Sequence, residues 1–133
     1  MMTSEFRGIR RLLRVQAVAL ATAGVLLVVR PAAIPAFIGI DLAPAAYLLV
    51  YLLAAAGFAF AVLSALGAGL ASPAGIRAVA LGSIVLHGCS AILEFPVALG
   101  LHSVVLWCNI GLRLVLVALF AWLLPRDSAE SMT

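Results

Sequence analysis

Four long apolar stretches, separated by short clusters of charge, proline and glycine, dominate this chain. No charge lies between Arg14 and Arg30, between Asp41 and Arg77, between Arg77 and Glu94, or between Glu94 and Arg113. About 20 mainly apolar residues let a helix cross the hydrocarbon core of a bilayer. The charge-free run from Leu42 to Ile76 is too long for one crossing, and Gly67, Gly69, Ser72, Pro73 and Gly75 break it near its end. The pattern predicts four spans, near 12–29, 44–68, 76–97 and 101–124. They are helices, because an open-ended segment in lipid must satisfy its backbone polar groups internally. The expected fold is all-α: a polytopic membrane protein, a four-transmembrane-helix bundle forming one domain over residues 1–133.

Composition agrees. The chain is 66% hydrophobic and 10% charged, against roughly half apolar and a quarter charged in a soluble domain. Arginine placement adds an orientation. Arg7, Arg10, Arg11 and Arg14 precede the first span, Arg77 opens the third and Arg126 follows the fourth. With four spans all six fall on one side, which the positive-inside rule makes cytoplasmic. Both termini are then expected in the cytoplasm, and the protein in the bacterial cytoplasmic (inner) membrane. The net charge of +3 therefore serves topology and anionic headgroups, and nucleic acid is not an expected partner. The first span is too long for the apolar core of a signal peptide, and Pro31 and Pro35 crowd any cleavage point, so it reads as retained.

Between the spans, RPAAIPAFIGIDLAP cannot form one continuous helix because of its prolines, yet Ile34, Phe37, Ile38 and Ile40 are apolar. This connection is expected to lie on the membrane surface or fold back over the bundle. Asp41 stands where it could cap the second span. Gly57, Ala61, Ala65 and Gly69 recur every four residues, a small-residue stripe that lets another helix approach closely. Gln16 sits near the cytoplasmic interface, within reach of water. Cys89 and Cys108, the only cysteines, form no CxxC and read as small buried packing residues.

The polar residues of the last two spans carry the candidate chemistry. Ser83, His87 and Glu94 sit at i, i+4, i+11; His102, Asn109 and Arg113 sit at i, i+7, i+11. In an antiparallel hairpin turning near Ala98, Glu94 lies level with His102, His87 with Asn109, and Ser83 with Arg113. Pro96 could end the third helix early and shift that turn by a residue or two. Polar groups are expensive within a bilayer, so a matched set on facing helices points to a packed seam or a binding site. In this register Glu94 is about 16 Å along the axis from Arg113. Arg113 then lacks a counter-charge within its own chain.

Three uses compete. The first is structural: the seam fixes helix register through interhelical hydrogen bonds. Arg113, His87, Asn109 and Ser83 could instead bind the anionic head of a lipophilic small molecule. Alternatively Glu94 and His102 could act as catalytic acid and base, in an isomerase or cyclase for a membrane-soluble substrate or in a proton-coupled carrier. No cofactor or metal is expected: the two histidines lie at different depths, and one carboxylate with one histidine makes a poor metal site. Expected partners are membrane lipids, a lipophilic small molecule, and a second copy (a homo-oligomer) or another membrane protein.

The basic lead, VVRPAAIPAFIGIDLAP, the Gly/Ala-rich second span, the arginine opening the third and the mid-span histidine of VLHGCSAILE resemble small bacterial four-helix integral membrane proteins of unknown function. That resemblance implies a four-helix fold and no particular activity. The functional expectation is a membrane component that binds a lipophilic anionic molecule or a membrane partner through the seam, with the acid–base enzyme or carrier as the alternative.

Overall fold

Helices and the turns that join them account for residues 6–124, the residues described by the computed structural model, with no strand among them. They are α1 (Arg7–Val29), a short α2 (Ala33–Phe37), a 3-10 turn (Pro44–Ala46), α3 (Tyr47–Gly69), α4 (Pro73–Leu101) and α5 (Val104–Leu123). Arg126 and the polar tail lie outside the described residues. Four of the helices are long and apolar enough to cross a membrane. Their outer surfaces are built for lipid: Leu49, Val104 and Trp122 are 68%, 75% and 78% exposed, whereas Gln16, Ser64, Ser83 and His87 are buried. The protein is a multi-pass, all-α membrane protein.

The first helix begins earlier than its apolar run suggests, because α1 already starts at Arg7. Its arginines have work at that end. The Arg10 guanidinium donates to the carbonyls of Ala68 (3.3 Å) and Leu70 (2.7 Å), which the end of α3 would otherwise leave unsatisfied.

Helices α1 and α3 pair closely. The face of α3 that packs is Val50, Ala54, Ala61, Ser64, Gly67 and Ala68, all buried. The expected stripe holds only at Gly57 and Ala61, since Ala65 and Gly69 are exposed. A strict four-residue repeat advances about 40° too far per step on a helix of 3.6 residues per turn, so by its third and fourth members it has rotated off the interface. One glycine is needed for the close approach: a Cβ on Gly24 would come within 2.8 Å of the Phe58 ring, whereas one on Gly57 would make an ordinary 3.7 Å contact with the Leu20 carbonyl.

Helices α4 and α5 form the second pair, and their register differs from the expected one. Pro96 lies inside α4, which runs on to Leu101. A proline removes one N–H from a helix, but membrane helices tolerate it because the freed carbonyl can be accommodated locally. The helix stops instead at His102, held in the left-handed region at φ 49°. Ser103 then caps α5 by accepting from the Leu106 N–H at 3.5 Å. The turn is thus centred at His102–Ser103 rather than near Ala98, and the pairings of Glu94 with His102, His87 with Asn109 and Ser83 with Arg113 do not form.

The two pairs meet at the arginine-bearing end. There Ile9 and Leu13 of α1, Ala68 of α3, Ile76 and Ala80 of α4 and Phe120 of α5 share one core with Phe6. Toward the far end each pair keeps a core of its own: Leu27, Val50 and Ala54 in α1–α3, and Ala91, Ala98, Leu106 and Ile110 in α4–α5. The space between them is not filled by the helices.

Two smaller expectations also change. The N-cap position of the 3-10 turn is Ala43, with no side-chain capping bond, and Asp41 is exposed. Cys89 and Cys108 are free and exposed, facing outward. Trp107 stacks edge-on against Phe95, with ring centroids 5.3 Å apart.

Because Gly24 has no room for a side chain, Gly24→Leu is expected to lower unfolding stability in detergent by about 1–3 kcal/mol. Gly111→Leu, at a position with nothing within 4 Å, should stay near wild type. Thermal unfolding followed by circular dichroism checks the difference.

Candidate functional site

A cavity of about 600 Å³ occupies the space between the two helix pairs in the far half of the bundle. Its walls are Leu20 to Leu27 on α1, Val50 to Gly57 on α3, Leu93 to Val97 on α4 and Val105 to Arg113 on α5. The connection between α1 and α3 folds back over it, with Ile34, Ile38, Ile40 and Leu42 among the lining residues. This is the second of the two placements expected for that segment. Its apolar residues face the cavity, and Gly39, at φ 84°, makes a bend that an L side chain would resist.

Almost the whole wall is apolar. The exception is a triad of Glu94, Asn109 and Arg113. Arg113 is bound side-on by Glu94: Nη2 to Oε1 at 2.8 Å and Nε to Oε2 at 3.1 Å. The Asn109 Nδ2 donates to the same Oε2 at 2.9 Å. Asn109 and Arg113 are four residues apart on α5, one above the other on the face that meets Glu94. The carboxylate therefore takes both donors at once. Side-on, paired contacts of this kind are among the strongest charge-assisted hydrogen bonds. Arg113 thus has its counter-charge within its own chain, contrary to the expectation from the shorter hairpin. The pair is 25% exposed on each side.

A second polar group lies on the arginine-end side of the cavity. The Gln16 Nε2 donates to Ser64 Oγ (2.8 Å) and to Ser83 Oγ (2.9 Å), and Ser83 Oγ donates to the Val79 carbonyl at 3.0 Å. With both amide hydrogens used, Gln16 Oε1 accepts from His87 Nε2 at 3.0 Å. That sets the neutral His87 tautomer, and Nδ1 has no partner among the described residues. One glutamine on α1 thereby ties α3 to α4, and so one helix pair to the other. Gln16 is only 4% exposed, so it does not reach water.

The sequence-derived residues therefore divide into two groups and one outlier. Glu94, Asn109 and Arg113 come together in the cavity wall. Ser83 and His87 join Gln16 and Ser64 in the buried cluster. His102 is an exposed helix end, eight positions or about 12 Å along the axis from Glu94, so the proposed acid and base are not brought together. Gln16 and Ser64 are the residues that sequence reasoning missed. The available signal was a glutamine inside an otherwise apolar helix, where an amide needs partners. Among the described residues no three of His, Cys, Asp and Glu are grouped to hold a metal ion.

No family model, curated protein or solved structure matches the chain.

Two measurements check this arrangement. Arg113→Leu strands the Glu94 carboxylate and is expected to cost about 3–5 kcal/mol, whereas Arg113→Leu with Glu94→Leu should recover most of that loss. A double-mutant cycle on Gln16→Leu and His87→Leu should return a coupling of about 0.6–1.7 kcal/mol. Unfolding in mixed micelles reads both.

Proposed function

We propose that the protein is a multi-pass component of the bacterial inner membrane, with both termini cytoplasmic, that binds a lipophilic small molecule between its two helix pairs. The observation that carries this reading is the cavity: apolar on nearly every side, with one hydrogen-bonding triad placed in its wall. Small-molecule sites have this make-up, a mostly apolar lining with a few fixed polar groups that orient the ligand. A purely structural ion pair would be expected to be closed over by packing. This one borders open space large enough for a drug-sized ligand.

The triad also bears on the head group. Glu94 neutralises Arg113, so an anion entering the cavity would have to compete with a bidentate carboxylate already in place. A neutral polar head meets no such competition. The acid–base alternative is less well supported, because both Glu94 oxygens accept bonds and His102 stands apart at the end of α4.

Native mass spectrometry of protein extracted gently with its own lipids tests the reading. The wild type is expected to retain a lipophilic adduct, and Val97→Trp, which fills the cavity from α4, should lose it while keeping its fold. A bare wild type, or an adduct unaffected by Val97→Trp, would overturn the proposal.

A further inference from the structure

The open hydrogen-bonding atoms of the triad specify the ligand further, on the basis of the binding reading above. Both oxygens of Glu94 are engaged by Asn109 and Arg113. Arg113 gives its Nε and Nη2 to that pair, and its Nη1 has no partner among the described residues. Asn109 gives Nδ2 to the carboxylate, which orients the amide, because the opposite flip would set Oδ1 against a carboxylate oxygen. Asn109 Oδ1 is therefore left as an acceptor without a partner among the described residues. Neither Nη1 nor Oδ1 is sealed inside protein, and both residues line the cavity. One donor group and one acceptor are thus left on residues of the cavity wall, four positions apart on the same face of α5.

We infer that the ligand is a lipophilic alcohol, whose hydroxyl accepts from Arg113 Nη1 and donates to Asn109 Oδ1. Ketone, ether and fully ionised head groups satisfy only half of the site. A ketone or ether accepts from Nη1 but leaves Oδ1 without a donor. A carboxylate or phosphate does the same and brings a second negative charge beside Glu94. An ammonium satisfies Oδ1 but faces the guanidinium. A hydroxyl both donates and accepts and carries no charge. A site built to bond a hydroxyl rejects the analogue lacking it, since its own polar groups are then left unpaired.

The rest of the cavity sets the body of the molecule. Its volume suits a single-chain or compact polycyclic alcohol rather than a whole two-chain phospholipid. Ile38 and Leu42 place an apolar roof on the side of the helix connection, which favours a ligand that partitions in lipid before binding.

Diazirine-bearing hexadecanol and matched hexadecane, hexadecanone, hexadecanoate and hexadecylamine probes, photolysed with the full chain in phosphatidylcholine nanodiscs, test this. Hexadecanol is expected to label cavity residues such as Leu93, Val97 and Leu106 roughly tenfold more than the other probes. Asn109→Leu should bring hexadecanol labelling down toward that of hexadecane. The ranking of probes on the wild type decides the matter even where that variant does not fold. A ketone, carboxylate or amine that labels the cavity as well as the alcohol does would overturn the hydroxyl inference and leave lipophile binding standing. Absence of cavity labelling by every probe would overturn both.

Discussion

A guanidinium about halfway along α5 cannot be left alone in hydrocarbon, and meeting its need sets the register of α4 against α5. Placing an arginine at the middle of a bilayer costs from ~2.5 to more than 10 kcal/mol, depending on how it is measured. Arg113 avoids that cost by lying side-on to Glu94, with Asn109 completing the contact. The geometry requires α4 to continue through Pro96 and turn only at His102. A hairpin closing four residues earlier would carry Glu94 out of reach. The left-handed backbone at His102 and the Ser103 cap are local devices that make the later turn available.

The other polar layer works differently. The Gln16 cluster contains no charge and is buried, and its bonds run from α1 to α3 and α4. It joins the two helix pairs at mid-bundle, above the shared core of Ile9, Leu13, Ile76 and Phe120. Beyond it the long helices keep separate cores, bridged by Ile38 of the α1–α3 connection, and the cavity begins. The ion pair therefore stands where packing is incomplete, beside the cavity. On the proposed reading structure and binding share these residues, so removing the counter-charge tests folding and changing the head group of the probe tests recognition.

The four helices were legible in the sequence because lipid imposes length and apolarity directly on the chain. Their mutual register was not. Two polar stripes with equal internal spacing can be matched at more than one offset, and placing the turn near Ala98 selected the wrong one. Requiring Arg113 to reach the nearest acid would have selected Glu94. Gln16 was misplaced for a related reason. Counting the span from residue 12 puts it near the interface, whereas a helix beginning at Arg7 carries it about 14 Å inward. The exposed cysteines show the remaining gap: a helix that is apolar all round gives little sign of which face meets protein and which meets lipid. The cavity, which depends on how two helix pairs diverge, has no signature in any one segment.

The most direct measurement is a solid-state NMR dipolar recoupling experiment in lipid bilayers, between the Glu94 side-chain carboxyl carbon and the Arg113 guanidinium nitrogens. Strong coupling to Nε and to one terminal nitrogen, with weaker coupling to the other, is the result expected for the side-on pair with Nη1 left open. Absence of coupling, or equal coupling to both terminal nitrogens, would contradict the register of α4 and α5 and the open donor in the cavity wall.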